Sequence, residues 1–292
     1  MDYIGNVIRP PSEANSLILQ VTVGCSHNMC TFCGTYKDQA FRLKDLDVVK
    51  RDIDEAASHP FQYERVFFAD GDVLVLPTKT ILELIDYTKT KLPSIGRFGV
   101  YGNTKSILKK SLSELKELKD AGLGIVYQGI ESGNKQVLRK IKKGAFPHRM
   151  IETAAKIIDA RILLSQTVLL GIGGVELSRE HAVDTGRLLS QTSPDYVGAL
   201  TVMILPGTEL ERQHLAGAFK LPDKFGLLEE LKLIIEHMDV TRKCFFASNH
   251  ASNYLPIKAT LPDEKPQLMA MFEKVLKDQD ESILKPEFLR AL

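Results

Sequence analysis

The residues best suited to chemistry stand together near the start of the chain. In residues 24–33, Gly-Cys-Ser-His-Asn-Met-Cys-Thr-Phe-Cys, three thiols are spaced as Cys, four residues, Cys, two residues, Cys. Thiolates suit soft metals and iron–sulfur clusters, and three on one short loop can serve a single centre. Zinc is the simplest such centre, with His27 completing a tetrahedron. Structural zinc sites usually draw their remaining ligands from a second knuckle, and the only other cysteine, Cys244, lies over two hundred residues away. Three thiolates on a four-iron cluster would instead leave one iron open to a ligand. That arrangement is reactive rather than structural. Three buried, unligated cysteines are the bland alternative.

Such a loop needs a scaffold, and the hydrophobic pattern describes one. Apolar, β-rich runs fall at residues 17–23, 65–69, 97–101, 124–129, 163–170 and 195–204. Between them lie stripes of helical period. In the clearest, Asn103 is placed to cap the N-terminus, Leu108, Leu112, Leu115 and Leu118 form the buried face, and Gly122 ends it. Other stripes occupy 46–57, 81–87, 150–158 and 182–189. Six strands each followed by a helix predict an α/β fold with parallel strands and right-handed crossovers. Six units rather than eight predict a partial (β/α)6 TIM-like barrel over residues 14–215. The stretch 221–292 then reads as a small C-terminal cap, with a helix near 225–238, an apolar run at 244–247, a polar loop and a last helix from Pro266.

Composition narrows the class. In a chain of 292 residues, 44% hydrophobic and 26% charged usage excludes a disordered protein. The net charge of +1 argues against a general nucleic-acid binder, while leaving room for one local patch. Basic runs such as Arg139-Lys140-Ile141-Lys142-Lys143 read as solvated helix ends. No apolar run reaches the length of a membrane span, and the first sixteen residues lack a signal peptide's apolar core. A soluble, cytoplasmic protein without a membrane partner is expected.

With its strand-end motifs, the cysteine loop resembles the radical SAM superfamily, in particular the methylthiotransferase and elongator group. The family's commonest spacing has three residues between the first two cysteines, where this chain has four. After the second strand, Asp70-Gly71-Asp72 stands at the place of the family's Gly-Gly-Glu motif, with Asp72 in place of glutamate. After the fourth, Gly129-Ile130-Glu131-Ser132-Gly133 resembles Gly-x-Glu-Ser-Gly. The fifth ends in Gly171-Ile172-Gly173-Gly174 and the sixth in Leu205-Pro206-Gly207-Thr208. Working residues of parallel-strand barrels gather at the carboxyl ends of the strands, where these motifs lie.

The resemblance implies an enzyme with two cofactors, a 4Fe-4S cluster on Cys25, Cys30 and Cys33, and S-adenosylmethionine on the open iron. It implies that Phe32 packs near the adenine and that the backbone at Asp70, Gly71 and Asp72 binds the methionine amino group. Glu131 would reach the ribose hydroxyls, and Gly171 would lie near the adenine. Gln166 faces the cofactor if the strand alternation holds, and is a core polar residue otherwise. The implied reaction is reductive cleavage of S-adenosylmethionine to a 5′-deoxyadenosyl radical, which abstracts hydrogen from an unidentified polar substrate. An electron donor such as flavodoxin or ferredoxin and a small-molecule substrate are the implied partners. With no second cysteine cluster and about 15 residues before the first strand, neither an auxiliary iron–sulfur centre nor a cobalamin domain is expected.

The substrate side is expected in the cap. Residues 248–254, Ser-Asn-His-Ala-Ser-Asn-Tyr, gather hydrogen-bonding groups, so Asn249, His250, Asn253 and Tyr254 are candidate substrate contacts and His250 the candidate acid–base residue. The competing reading is a loop whose side chains bond its own backbone. Cys244, in an apolar run, reads as a core residue. For the whole chain, the alternative to an enzyme is a non-catalytic iron–sulfur or zinc-binding scaffold.

Overall fold

The computed structural model describes residues 1–291. In chain order its first elements are β1 (Leu17–Gln20), β2 (Thr22–Val23), β3 (Arg42–Leu43), α1 (Leu46–Ser58), β4 (Arg65–Ala69), α2 (Thr78–Lys91) and β5 (Arg97–Tyr101). Next come α3 (Thr104–Lys109), α4 (Leu112–Ala121), β6 (Leu123–Glu131), α5 (Lys135–Lys140), α6 (Pro147–Asp159), β7 (Leu163–Leu170) and α7 (Gly174–Thr192). The chain continues with β8 (Tyr196–Thr201), α8 (Glu209–Leu215), α9 (Lys224–Glu236), β9 (Cys244–Ala247), β10 (Lys258–Leu261) and α10 (Lys265–Asp278).

All six expected strands are present, but two expected elements are divided. The first strand breaks at Val21: β1 pairs in parallel with β4, whereas β2 turns to pair antiparallel with β3. The long leucine stripe is two helices, because Ser111 and Glu114 form a reciprocal capping box that starts α4 afresh. Asn103 does cap, accepting from the backbone of Ser106 at the start of α3, and Gly122 ends α4 with a φ of 123°.

The chain packs as two compact units. The first comprises residues 1–28, 35–128 and 155–164. Within it β1, β4, β5 and β6 are successive parallel neighbours, in registers such as Leu19↔Phe68, Phe67↔Gly99 and Val100↔Val126. Leu19, Phe67, Phe68, Phe98, Ile53 and Ile81 are among its fully buried side chains.

The second unit comprises residues 29–34, 129–154 and 165–292, of which Leu292 lies outside the described residues. Here β8 runs parallel to β7, and β9 runs parallel to β8 with Tyr196 opposite Phe245. β10 is antiparallel to β9. The stretch 221–292, expected as a cap, is thus built into the sheet, and Phe246, Leu261 and Phe272 share one core with Val168 and Val197. A four-residue run such as 244–247 is too short to announce a strand by period alone. Cys244 is buried in that core, as expected, and burial pushes its thiol up to about 12. No helix among the described residues is long and apolar enough to cross a membrane.

Helices α7 and α9 approach closely at Gly186, where a Cβ would lie 2.5 Å from the carbonyl oxygen of Ile234 and 2.8 Å from the Cβ of His237. Helix propensity alone makes Gly186→Ala stabilising by about 1 kcal/mol. The close backbone reverses that sign, and denaturant unfolding should show a loss of about 1–3 kcal/mol. A stabilised variant would mean that the two helices can separate without cost.

Candidate functional site

In the first unit, the turn after β4 holds the start of the cysteine loop residue by residue. Asp70 is buried, and its carboxylate accepts from Gly24 N (3.2 Å), Gln20 Nε2 (2.8 Å) and the Tyr36 hydroxyl (3.3 Å). Gly71 N donates to Gly24 O (3.2 Å), and a Cβ at this position would lie 2.9 Å from the Cβ of Cys25. Asp72 is fully buried, and its Oδ2 accepts from Ser26 Oγ (2.5 Å), Asn103 Nδ2 (2.6 Å) and Ser106 Oγ (2.5 Å). Its Oδ1 accepts from Asn103 N (3.1 Å). Burial pushes both carboxyls above their ordinary value, and these donors pull in the opposite direction. The Asp72 carboxylate is therefore engaged in the protein's own hydrogen bonds.

In the second unit, the backbone of Thr31, between Cys30 and Cys33, is fixed at both ends. Thr31 N donates to Ile141 O (3.0 Å), and Thr31 O accepts from Leu210 N (2.9 Å). Phe32 is half-buried against the core of this unit. A Cβ at Gly34 would lie 3.3 Å from Leu205 Cδ1, which seats the end of the loop on the turn after β8.

The turn that ends β6 explains its own sequence. Glu131 adopts the left-handed region at φ 65°, a conformation that costs a residue with a side chain about 1–2 kcal/mol. Its carboxylate lies back over Gly129, where a Cβ would stand 2.3 Å from Glu131 Oε1. Lys143 Nζ donates to that oxygen at 2.7 Å. Lys143 is thus no solvated helix end, as its basic run suggested; its side chain is only 15% exposed. Ser132 Oγ lies 2.7 Å from His181 Nδ1. Gly133 passes so close to α7 that a Cβ would stand 2.1 Å from Asp184 O.

Two further expected residues lie along β7. Gln166 is fully buried and its Oε1 accepts from the Thr192 hydroxyl at 2.7 Å. Gly171 has a φ of 78°, and a Cβ there would meet Leu221 and Leu227 at 2.6 and 2.8 Å. Only glycine satisfies both requirements.

The loop 248–254 also belongs to the second unit. Asn253 is buried: its amide donates to Ala199 O (2.7 Å) and Ser248 O (2.8 Å) and accepts from the Thr201 hydroxyl (2.8 Å). Those bonds tie the loop to β8. The Tyr254 hydroxyl donates to Glu287 and accepts from Arg290 Nη1 (2.7 Å); burial and the Glu287 bond push it up to about 12. Asn249 is exposed. His250 is half-buried with Nδ1 2.9 Å from Ser252 Oγ, and burial together with the Lys285 charge holds it below its ordinary value.

Three thiols are the donor type that an iron–sulfur cluster takes, each on a different iron. Cys25, Cys30 and Cys33 are partly exposed and none forms a disulfide. On the same loop Asn28 Oδ1 and Thr31 Oγ1 are buried without a hydrogen-bond partner among the described residues, as beside a bound group. No three His, Cys, Asp or Glu side chains among the described residues stand close enough to share one metal ion. Gln20, Tyr36, Ser106 and Lys143 escaped the sequence reading. Only Gln20, a polar residue interrupting an apolar strand, carried a signal there.

Comparison with known proteins finds similar chains. The family model described as the radical SAM superfamily matches residues 19–189. An uncharacterized protein of Methanocaldococcus jannaschii, MJ0486, is 20% identical over 230 residues, 75% of this chain and 70% of the relative. Among solved structures, coproporphyrinogen III oxidase of Escherichia coli is similar at a TM-score of 0.59 and 16% identity, over 76% of this chain and 51% of that one. Methylornithine synthase gives a TM-score of 0.55 at 15% identity, over 77% and 63%. Elp3 of Methanocaldococcus infernus gives 0.52 at 14%, over 91% and 63%. The match covers less than two-thirds of each of these solved chains. At such identities the likeness shows the fold, the α/β architecture that these enzymes share.

The engagement of Asp72 can be tested directly. Asp72→Ala would strand donors from Ser26, Asn103 and Ser106, and should cost about 2–5 kcal/mol in unfolding together with a weaker hold on iron. Wild-type stability and iron content in that variant would show the carboxylate to be dispensable.

Proposed function

This chain belongs to the radical SAM superfamily, and from that premise we propose that it abstracts hydrogen from a small polar molecule. Its cofactors are a 4Fe-4S cluster and S-adenosylmethionine. When bound, they would supply one-electron chemistry, the reductive cleavage of a sulfonium to methionine and a 5′-deoxyadenosyl group able to take hydrogen from a substrate. Enzymes of this family draw the electron from an external reductant, and a flavodoxin or ferredoxin suits that role here.

The chain's own residues divide the work of holding these groups. Cys25, Cys30 and Cys33 would each ligate one iron. The backbone at Asp70, Gly71 and Asp72 would accept from the methionine ammonium, while the two carboxylates keep that turn against the loop. Glu131 would accept from the ribose hydroxyls, with Lys143 holding its carboxylate in place until they arrive. Phe32 would pack on the adenine, with Gly171 on the same side; Gln166, expected as a cofactor contact if the strand alternation held, instead turns to Thr192 on α7 and is a core polar residue. Asn249 and His250 have the exposure to meet a substrate. Asn253 and Tyr254 support that loop through the bonds they already make. Burial and the Lys285 charge favour a neutral His250, whose Nδ1 already accepts from Ser252 N at 3.2 Å, so it would offer its Nε2–H to a substrate acceptor.

The observation that carries this reading is the missing side chain at Gly71. Any Cβ there would strike Cys25, so the turn that would bind the amino group sits directly against a residue that would ligate the cluster. A scaffold that only carried a metal would have no need of that approach, nor of a strained carboxylate at Glu131.

Glu131→Gln should leave the cluster intact and weaken S-adenosylmethionine binding by roughly 1–3 kcal/mol, because a carboxylate accepts from two hydroxyls more strongly than an amide does. Equilibrium titration of the reconstituted protein reads this out. Unchanged affinity would remove Glu131 from the cofactor site.

A further inference from the structure

Two ionisable side chains of the second unit are buried yet have no part in the scheme above. His181 on α7 has no solvent exposure, and Glu230 on α9 is 1% exposed. Burying a carboxylate away from water costs several kcal/mol unless its oxygens are met by donors. Glu230 meets that condition in a particular way. Its Oε1 accepts from the backbone N–H of Gly171 at 2.5 Å, and its Oε2 accepts from Ser178 Oγ at 2.6 Å. His181 Nε2 lies 3.3 Å from the same Oε1, close but off the line of an ideal hydrogen bond.

The other face of the imidazole leads to the Glu131 turn. His181 Nδ1 lies 2.7 Å from Ser132 Oγ, which also accepts from Asn134 N at 3.0 Å. A hydroxyl has one proton and two lone pairs, so Ser132 can pair with either tautomer; the Glu230 carboxylate 3.3 Å from Nε2 favours the one in which Ser132 donates to Nδ1. The imidazole proton then belongs on Nε2, facing the carboxylate. Thr185, one turn along α7, accepts from Gly133 N at 2.8 Å and donates to His181 O at 2.5 Å. Both strand-end turns proposed to hold the adenosine half of the cofactor, at Glu131 and at Gly171, are therefore hung on one buried pair.

We propose that His181 and Glu230 are positioning residues for adenosine recognition, fixing the Glu131 turn and the Gly171 turn in one geometry. The inference rests on the cofactor reading given above. It adds that affinity for the adenosyl group is set in part by two side chains that never touch it. Glu131 in a left-handed conformation is a backbone state that an unsupported turn would leave. Supporting groups of this kind commonly govern affinity by ten-fold or more when they are removed.

The probe is S-adenosylhomocysteine, which has the adenosine half and cannot be reductively cleaved in the same way. Its Kd is measured by calorimetry on cluster-loaded protein for His181→Gln, Glu230→Gln and Glu131→Gln. Ser190→Ala, which removes a buried-side hydroxyl elsewhere on α7, serves as a control for general loosening. We expect His181→Gln to raise Kd about ten-fold and Glu230→Gln, which keeps an acceptor for Gly171 N, to raise it less, with Ser190→Ala near wild type. Uncoupled cleavage of S-adenosylmethionine under strong reductant should show a raised KM with kcat retained at saturation. A Kd raised only by Glu131→Gln would overturn the positioning role while sparing the cofactor site. Wild-type Kd in all three variants would overturn the cofactor site itself, and the inference with it. A fall in kcat at unchanged KM, or an equal loss in Ser190→Ala, would also overturn it. If His181→Gln fails to fold, His181→Asn and Glu230→Gln carry the same comparison.

Discussion

Three consecutive residues grip three others, and the cysteine loop depends on that grip. Asp70 holds Gly24, Gly71 lies against Cys25, and Asp72 holds Ser26. A loop of small and polar residues has little apolar surface with which to order itself, and fixing each residue's backbone costs about 1–2 kcal/mol. Two buried carboxylates supply the missing order because each is worth burying only when its oxygens are filled. Asp70 accepts from three groups and Asp72 from four. Asn103 meets Asp72 through its main-chain N–H and its side chain, while its Oδ1 caps α3. The helix that follows β5 is thereby locked to the same point.

The second unit applies the same principle with different groups. Thr31 is held by main-chain bonds at both N–H and carbonyl, so the stretch between Cys30 and Cys33 is fixed without using a side chain. At the end of β6, glycines on either side of Glu131 make room for its carboxylate at 129 and for the backbone of α7 at 133. The strained φ at Glu131 is held by Lys143 on its oxygen and by bonds to Ser132 and Gly133 just beyond it. Polar anchoring of turns, more than apolar packing, is what presents these residues.

Much of this was legible in the sequence, and the rest failed for definite reasons. Strands 65–69, 97–101 and 163–170 were read with the bounds they have, because long apolar runs between turn residues leave little choice. The motif residues Gly71, Glu131 and Gly171 were placed at strand ends, where they stand. What could not be read was pairing between distant residues. Nothing near Tyr36 or Gln20 announces that both will donate to Asp70, and Lys143 looked like any lysine of a basic run. The division of the leucine stripe at Ser111 was readable, since Ser-x-x-Glu is a helix start, but the stripe's regularity overrode it. At 221–292 the strands are only four residues each, so their place in the sheet comes from partners far away in sequence.

Reductive turnover without substrate tests the assignment most directly. Protein purified and reconstituted without air should be brown, hold about four irons per chain, and release 5′-deoxyadenosine and methionine from S-adenosylmethionine under strong reductant. Replacing Cys25, Cys30 or Cys33 by Ala should abolish both the colour and the 5′-deoxyadenosine. A colourless, zinc-loaded protein that leaves S-adenosylmethionine intact under those conditions would contradict it.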